Sequence, residues 1–177
     1  IVYLVEEVVL SIVDIAKDKN IEIIFNTEEE EIITAIDEEK IVRVILILLS
    51  NSIKFSKEKG DICVEMRRED EEVVIKVTDN GIGINEDMKE KIFDKFKRVQ
   101  SVSNLNVDHE GSGWGLYIAK GFIELHNGSI SVVSEVEKGS TFIITIPIVI
   151  IKNDLHNINH MDEDELNRII KIELSDL

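Results

Sequence analysis

Apolar residues recur at every third or fourth position in "LVEEVVLSIVDIAKDKN", Leu4 to Asn20, and this spacing predicts a helix running to about Lys19. "IEIIFN" then alternates as a strand, and after the acidic turn "TEEEE" a further short strand is expected at "EIITAI". Helical spacing returns in "KIVRVILILLSNSIKFS", Lys40 to Ser56, with Asp37 positioned to cap that helix. "DICVEMRRED" and "EEVVIKVTDN" alternate as paired strands joined through a polar turn around Asp70. A short helix around Glu86–Phe93 leads into the polar, glycine-bounded loop "KRVQSVSNLNVDHEGSG", of a length usually given to function. A helix from about Trp114 to Leu125 stops at "HNG", and the strands "SISVVSE" and "STFIITIPIVI" flank a turn at Lys138–Gly139. Helices mixed with mostly hairpin-connected strands predict an α+β sandwich, with helices on one face of a sheet.

The helix carrying Asn51 is unusual in cross-section. With Ile47 set at 0° on a helical wheel, Lys40, Arg43, Asn51 and Lys54 fall within about 40° of it. The remaining arc holds Ile41, Val44, Ile45, Leu48, Leu49 and Ser52, so a narrow polar lane runs along a greasy cylinder. Such a lane is either a solvated stripe or a ligand-facing one. A lane centred on isoleucine and hemmed in by wide apolar flanks needs partners for its amide, because an unsatisfied buried polar group costs about 1–3 kcal/mol. This helix alone leaves both readings open.

Composition narrows the field. The chain has 177 residues, 44% hydrophobic and 32% charged, enough for one globular core with an appendage. A net charge of −16 opposes nonspecific binding to nucleic acid or anionic lipid. The lone cysteine, Cys63, excludes an internal disulfide framework and reads as a core residue. No apolar run reaches the roughly 20 residues of a membrane span, no signal peptide is evident, and the opening "IVYLVEEVVL" lacks Met. A fragment of a longer parent protein is expected, itself cytoplasmic and without membrane contact, although the parent can be anchored in the cell membrane.

Two glycine clusters carry chemistry. "VTDNGIGI" places Asp79 at a strand end with Gly81 and Gly83 just beyond. A carboxylate there can accept from an exocyclic amine, and glycines let a flat ligand approach the main chain. Strand-end Asp-Asn-Gly is also an ordinary turn. In "EGSGWGLYIAK", Gly111, Gly113 and Gly115 alternate directly before a helix, offering N–H groups and the positive helix end to an anion. The cluster lacks the Gly-Lys-Ser/Thr of a Walker A loop and the βαβ setting of a dinucleotide fingerprint.

Taken in order, "LLSNSIKF", "DNGIGI", "IFDKFKRV", "GSGWGLYIAK" and "GSTF" resemble the N, G1, F, G2 and G3 boxes of the catalytic ATP-binding domain of sensor histidine kinases. The resemblance covers about Val2 to Ile148. It implies a two-layer α/β sandwich of Bergerat type, a mixed sheet of about five strands backed by three helices. Residues 1–149 would form that domain and residues 150–177 a linker with an amphipathic tail. The resemblance makes Asn51 the Mg²⁺ ligand beside the ATP phosphates, Lys54 the phosphate-contacting base and Phe55 an aromatic flanking the nucleotide. It makes Asp79 the adenine-reading carboxylate, with Gly81 and Gly83 shaping the adenine slot. Phe93 and Phe96 match lid-anchoring aromatics, and Arg98 matches a basic residue neutralising the γ-phosphate. Gly111, Ser112, Gly113, Trp114, Gly115 and Leu116 match the phosphate-gripping loop, and Thr141 lies where a threonine nears the adenine.

Two positions depart from the family pattern. Ile47 stands where a first N-box asparagine is usual and where related ATPases carry a water-activating glutamate. Trp114 replaces a usual leucine. Phosphoryl transfer to histidine depends on positioning and charge neutralisation more than on a base. The implied function is the ATP-binding half of a histidine kinase, partnered by a histidine-bearing dimerisation domain and a response regulator receiver domain. The alternative is a degenerate nucleotide- or response-regulator-binding module. None of His109, His126, His156 and His160 sits in a phosphoacceptor context, and His126 at "LHNG" reads as a helix-end residue, a position that favours a cation. The tail "DELNRIIKIELSDL" reads as an amphipathic segment docking on its own domain or a neighbour.

Overall fold

The computed structural model describes residues 1–57, 59–95, 113–151 and 161–175. Alternation in five segments produces β1 (Glu22–Thr27), β2 (Asp61–Glu69), β3 (Glu72–Asp79), β4 (Ser129–Glu135) and β5 (Gly139–Pro147). They form one sheet in the order β1-β2-β3-β5-β4. β1 and β2 run parallel, and every other neighbouring pair is antiparallel. The α-helices among the described residues are α1 (Val2–Asp18), α2 (Glu38–Phe55), α3 (Gly115–Leu125) and α4 (Glu163–Glu173). α2 is the crossover between the two parallel strands, which a tight turn cannot join.

Register sorts the sheet residues into two faces. Val64, Val77, Phe142 and Val132 form one cross-strand row, and Met66, Ile75, Ile144 and Ile130 another, both directed at the helices. α1 packs over β1, α2 over β2 and β3, and α3 over β4. The opposite face carries Cys63, Thr78, Thr141 and Val133 in register. Cys63 is therefore not a core residue. It is half-buried on the outer face, with its Sγ 3.5 Å from the Asn26 amide nitrogen.

The strand expected at "EIITAI" is absent from the described residues. That segment makes a local bridge instead, through Ala35 N–H to the Val149 carbonyl (2.8 Å) and Val149 N–H to Thr34 Oγ1 (3.0 Å). Asp37 caps α2 as expected, accepting from Lys40 N–H at 3.1 Å. Its own N–H donates to His126 Nε2 (3.0 Å), while His126 Nδ1 lies 2.7 Å from the Phe122 carbonyl. A carbonyl only accepts, so the proton at Nδ1 is donated to Phe122 while Nε2 accepts from Asp37 N–H. The ring thereby ties the end of α3 to the start of α2.

The tail folds back on its own domain. Asp162 caps α4 through Glu165 N–H at 2.8 Å, and Ile169 is buried, joined by Met161, Leu166, Ile170 and Leu174. α4 packs on α2, where Met161 N–H donates to Glu38 Oε2 (2.8 Å) and Arg43 lies 3.7 Å from Glu173. Burial pushes the Glu173 carboxyl above the ordinary glutamate range, opposed by the Arg43 charge. The apolar contacts hold the helix, because partly exposed ion pairs contribute little. Ile169→Ala is expected to lower the unfolding free energy by about 2 kcal/mol or more, read from urea denaturation. Unchanged stability would mean that α4 adds nothing to the core.

Candidate functional site

The polar end of the molecule lies where the C-terminus of α2 meets the loop after β3. Gly81 and Gly83 fit that junction closely. A Cβ on Gly81 would lie 2.3 Å from the Phe55 carbonyl oxygen, and one on Gly83 only 2.0 Å from the Glu135 carbonyl oxygen. Gly83 also has φ +70°, the left-handed region that disfavours side chains. Both glycines are required by backbone packed against backbone: the loop is wedged between α2 and the β4–β5 turn. Ile82 N–H donates to the Phe55 carbonyl at 3.1 Å and seals the first of those contacts.

Asp79 ends β3 on the helix side of the sheet and is only 7% exposed. Its Oδ1 accepts from Gly81 N–H (2.9 Å) and Ser140 N–H (3.3 Å), and its Oδ2 accepts from the Ser52 hydroxyl (3.4 Å). Burial pushes this carboxyl above the ordinary aspartate range, and those hydrogen bonds pull it back down. Two carboxylate oxygens offer about four acceptor sites, and three are taken, so capacity remains for one more donor.

Asn51 and Lys54 stand half-buried on α2, and Ser52 between them is buried toward the sheet. Ile47, one turn before Asn51, is 6% exposed, and a Cβ on Gly115 would lie 3.2 Å from its Cγ2. The lane of α2 therefore faces the first residue of α3, and the N-terminal end of a helix suits an anion. Gly113 approaches that helix at φ +71°, and Trp114 is its N-cap, with its ring 5.9 Å from Tyr117 in an edge-to-face pair. Leu116 packs against the core. Phe93 is buried in a short 3-10 turn, Lys91–Phe93, edge-on to Phe142 at 6.5 Å. Phe96, Arg98, Gly111 and Ser112 lie outside the described residues, as do His109, His156 and His160.

Thr141 is not brought to this group. Its hydroxyl pairs with Thr78 at 3.1 Å on the outer face of the sheet, because β-strand side chains alternate. Its neighbour Ser140 faces inward beside Asp79. Ser52, Ser134 and Ser140 are the polar residues that the sequence reading missed. Each is a small hydroxyl at a position where periodicity calls for an apolar side chain, and that mismatch is the clue.

The site fits a hard cation with an anionic ligand. Asn51 supplies a neutral oxygen and Lys54 a positive charge, and no group of three or more acidic, histidine or cysteine side chains that could hold a metal alone occurs among the described residues. A magnesium ion sharing its shell with phosphates and water needs no such cage.

Residues 36–150 match the family model described as histidine kinase-, DNA gyrase B- and HSP90-like ATPase. A histidine kinase of Formosa agariphila is 34% identical over 152 residues, 84% of this chain and 11% of that protein. Sensor histidine kinase WalK of Bacillus subtilis is 35% identical over 136 residues, 76% of this chain and 22% of that protein. The chain thus spans less than a quarter of the length of either relative. Among solved structures, the nucleotide-free catalytic domain of histidine kinase ThkA superposes with a TM-score of 0.72 at 30% identity, covering 83% of this chain and 91% of that one. Full-length ShkA in complex with AMPPNP gives 0.72 at 26% identity over 84% of this chain and 30% of that one. ThkA in complex with the response regulator protein TrrA gives 0.69 at 28% identity, over 83% of this chain and 40% of that one.

The raised Asp79 carboxyl yields a pH test. A group whose folded pKa lies above its unfolded one contributes stability that is full below the unfolded value and lost as pH rises through the folded value. The stability of the wild type relative to Asp79→Asn is therefore expected to fall over the range of pH above the ordinary aspartate value, about 4, in paired urea denaturations. A difference that rises over that range would mean that the three hydrogen bonds outweigh burial.

Proposed function

Because the chain belongs to the histidine kinase-, DNA gyrase B- and HSP90-like ATPase family, we propose that it is the ATP-binding catalytic domain of a two-component sensor histidine kinase. In this reading it transfers the γ-phosphoryl group of Mg-ATP to a histidine on a dimerisation domain carried elsewhere in its parent. The observation that carries the reading is Asp79: a buried carboxylate held by Ser52, Gly81 and Ser140, with acceptor capacity left over. An adenine presents an exocyclic amine that can donate there, whereas guanine presents a carbonyl at the same position and would be repelled.

The chain's own residues divide the work. Asp79 reads the base, and Gly81 and Gly83 keep the loop beside it seated. Asn51 would hold Mg²⁺, which when bound neutralises phosphate charge and orients the terminal phosphoryl group. Lys54 contacts phosphate, and the start of α3 at Gly113–Leu116 receives the anion with its N–H groups. Phe55 and Phe93 flank the nucleotide and its covering segment, and the family resemblance would add Phe96, Arg98, Gly111 and Ser112, which lie outside the described residues. The acceptor imidazole nitrogen bonds to the γ-phosphorus as the bond to the β,γ-bridging oxygen breaks, and ADP leaves.

Ile47 fits transfer to a histidine better than hydrolysis. Its buried hydrocarbon, against Gly115, has no oxygen to orient a water molecule. A degenerate binding module is the less favoured alternative, since Asn51, Lys54 and Asp79 all remain in place. Partners follow from the reading: the phosphoacceptor dimerisation domain, then a response regulator receiver domain, as the complex of ThkA with TrrA suggests by analogy. No described helix is long and apolar enough to cross a membrane, and the reading gives this domain a cytoplasmic site of action whether or not its parent is anchored in the membrane.

Mixing this chain with its parent's dimerisation helices and Mg-ATP is expected to yield acid-labile phosphohistidine. Tight ATP binding without phosphohistidine would leave the binding-module reading in its place. In a separate test, Asn51→Ala is expected to weaken Mg²⁺-dependent ATP binding at least about tenfold by calorimetry, with the thermal transition unchanged. Equal affinity with and without the substitution would show that another group holds the metal.

A further inference from the structure

Ser134 is the one buried residue of β4, 8% exposed, and it completes a cross-strand row of Ile62, Asp79, Ser140 and Ser134. The next rows on the same face, Val64 to Val132 and Met66 to Ile130, are apolar across β2, β3, β5 and β4. Ser134 Oγ lies 2.8 Å from Ile84 N, 2.8 Å from the Gly139 carbonyl and 3.0 Å from Ser140 Oγ. A hydroxyl has one proton and two lone pairs. Its proton goes to the Gly139 carbonyl, one lone pair accepts from Ile84 N–H, and the other accepts from the Ser140 hydroxyl. All three capacities are spent inside the protein.

Those bonds join two segments that nothing in the sheet ladder would hold together. Ile84 closes the loop that begins at Asp79, and Gly139 closes the β4–β5 turn. The same two segments meet again where Glu137 N–H donates to the Ile82 carbonyl at 2.8 Å. Lys57, just past α2, reaches the Glu137 carbonyl at 2.6 Å and its carboxylate at 3.2 Å. The exposed Lys57 pair is weakly held. The buried Ser134 bonds are not, because breaking them strands a donor and an acceptor out of water.

We propose that Ser134 is a positioning residue for nucleotide recognition, fixing the Gly81–Ile84 loop to the β4–β5 turn so that the base meets Asp79 in one geometry. The proposal rests on the ATP reading above. Ser134 acts on the base side of the site alone, since Asn51 and Lys54 stand on α2 and are not in its hydrogen-bond group.

The test uses Ser134→Ala, Ser134→Val and Ser134→Thr in this chain. Ser134→Ala is expected to speed hydrogen exchange at the Ile84 amide and to weaken ATP and ADP by a similar factor, at least about tenfold. Weak GTP binding should be unmoved, so discrimination between the bases shrinks. Ser134→Thr, which keeps the hydroxyl, should restore both readouts, and Ser134→Val, with nearly the same shape, should not. Wild-type protection at Ile84 in Ser134→Ala, or equal loss for ATP and GTP, would overturn the proposal. If Ser134→Ala does not fold, the Thr and Val pair decides by the same measurements. If the wild type binds no ATP, the functional reading fails, while Ile84 exchange still reports whether Ser134 holds the loop.

Discussion

Helix α2 is hydrocarbon around most of its circumference, with ten of its residues buried from Ile41 to Ile53. A helix of that kind is stable only when covered on several sides, and the domain is arranged to cover it. The sheet lies beneath, and α1, α3 and α4 pack against it. Burying such side chains yields about 1.5–3 kcal/mol each, which dwarfs any surface ion pair in the molecule. The same burial fixes the rotation of α2 about its axis. Once the greasy arc is committed to the core, Asn51 and Lys54 have one direction left in which to project, beside Ile47 and the first residue of α3.

The far end of that helix supplies the second half of the arrangement. Phe55 carries its last carbonyls to the loop after β3, and the two glycines there let backbone sit on backbone at distances that any side chain would forbid. Asp79 is then caught between a hydroxyl from α2 and an N–H from β5. A buried carboxylate is costly, and three hydrogen bonds reduce that cost without saturating the group. In the proposed reading, recognition depends on a carboxylate that the protein has incompletely satisfied.

Much of this was readable from residue order. The alternation in β2, β3 and β5 and the helical spacing of α2 reflect large burial differences between faces, so the strands and the polar lane emerge directly from the sequence. The glycines after Asp79 were legible as permissive points, and the structure shows a reason that residue order did not, their close contact with the backbone of Phe55 and Glu135. Which of Ser140 and Thr141 faces Asp79 was not legible, because adjacent residues of a strand point to opposite sides and only the pairing of β3 with β5 decides. The segment at Glu31–Ile36 has strand-like composition but finds no partner strand, and pairing is a long-range property. Ser52 and Ser134 were hidden inside apolar periodicity, where a small hydroxyl looks like a tolerated exception.

The hydrophobic core does not stop where the match to the family model does. The match runs over residues 36–150, yet α1 places Val5, Val8 and Ile12 in the core, β1 closes the side of β2, and α4 adds Ile169. A chain trimmed to the matched span would present β2 with a bare row of backbone donors and acceptors beside an uncovered apolar trough. Those are the conditions under which one copy zips onto another. The flanking elements, peripheral to the chemistry, cover that trough and shift the open edge of the sheet from β2 to the shorter β1.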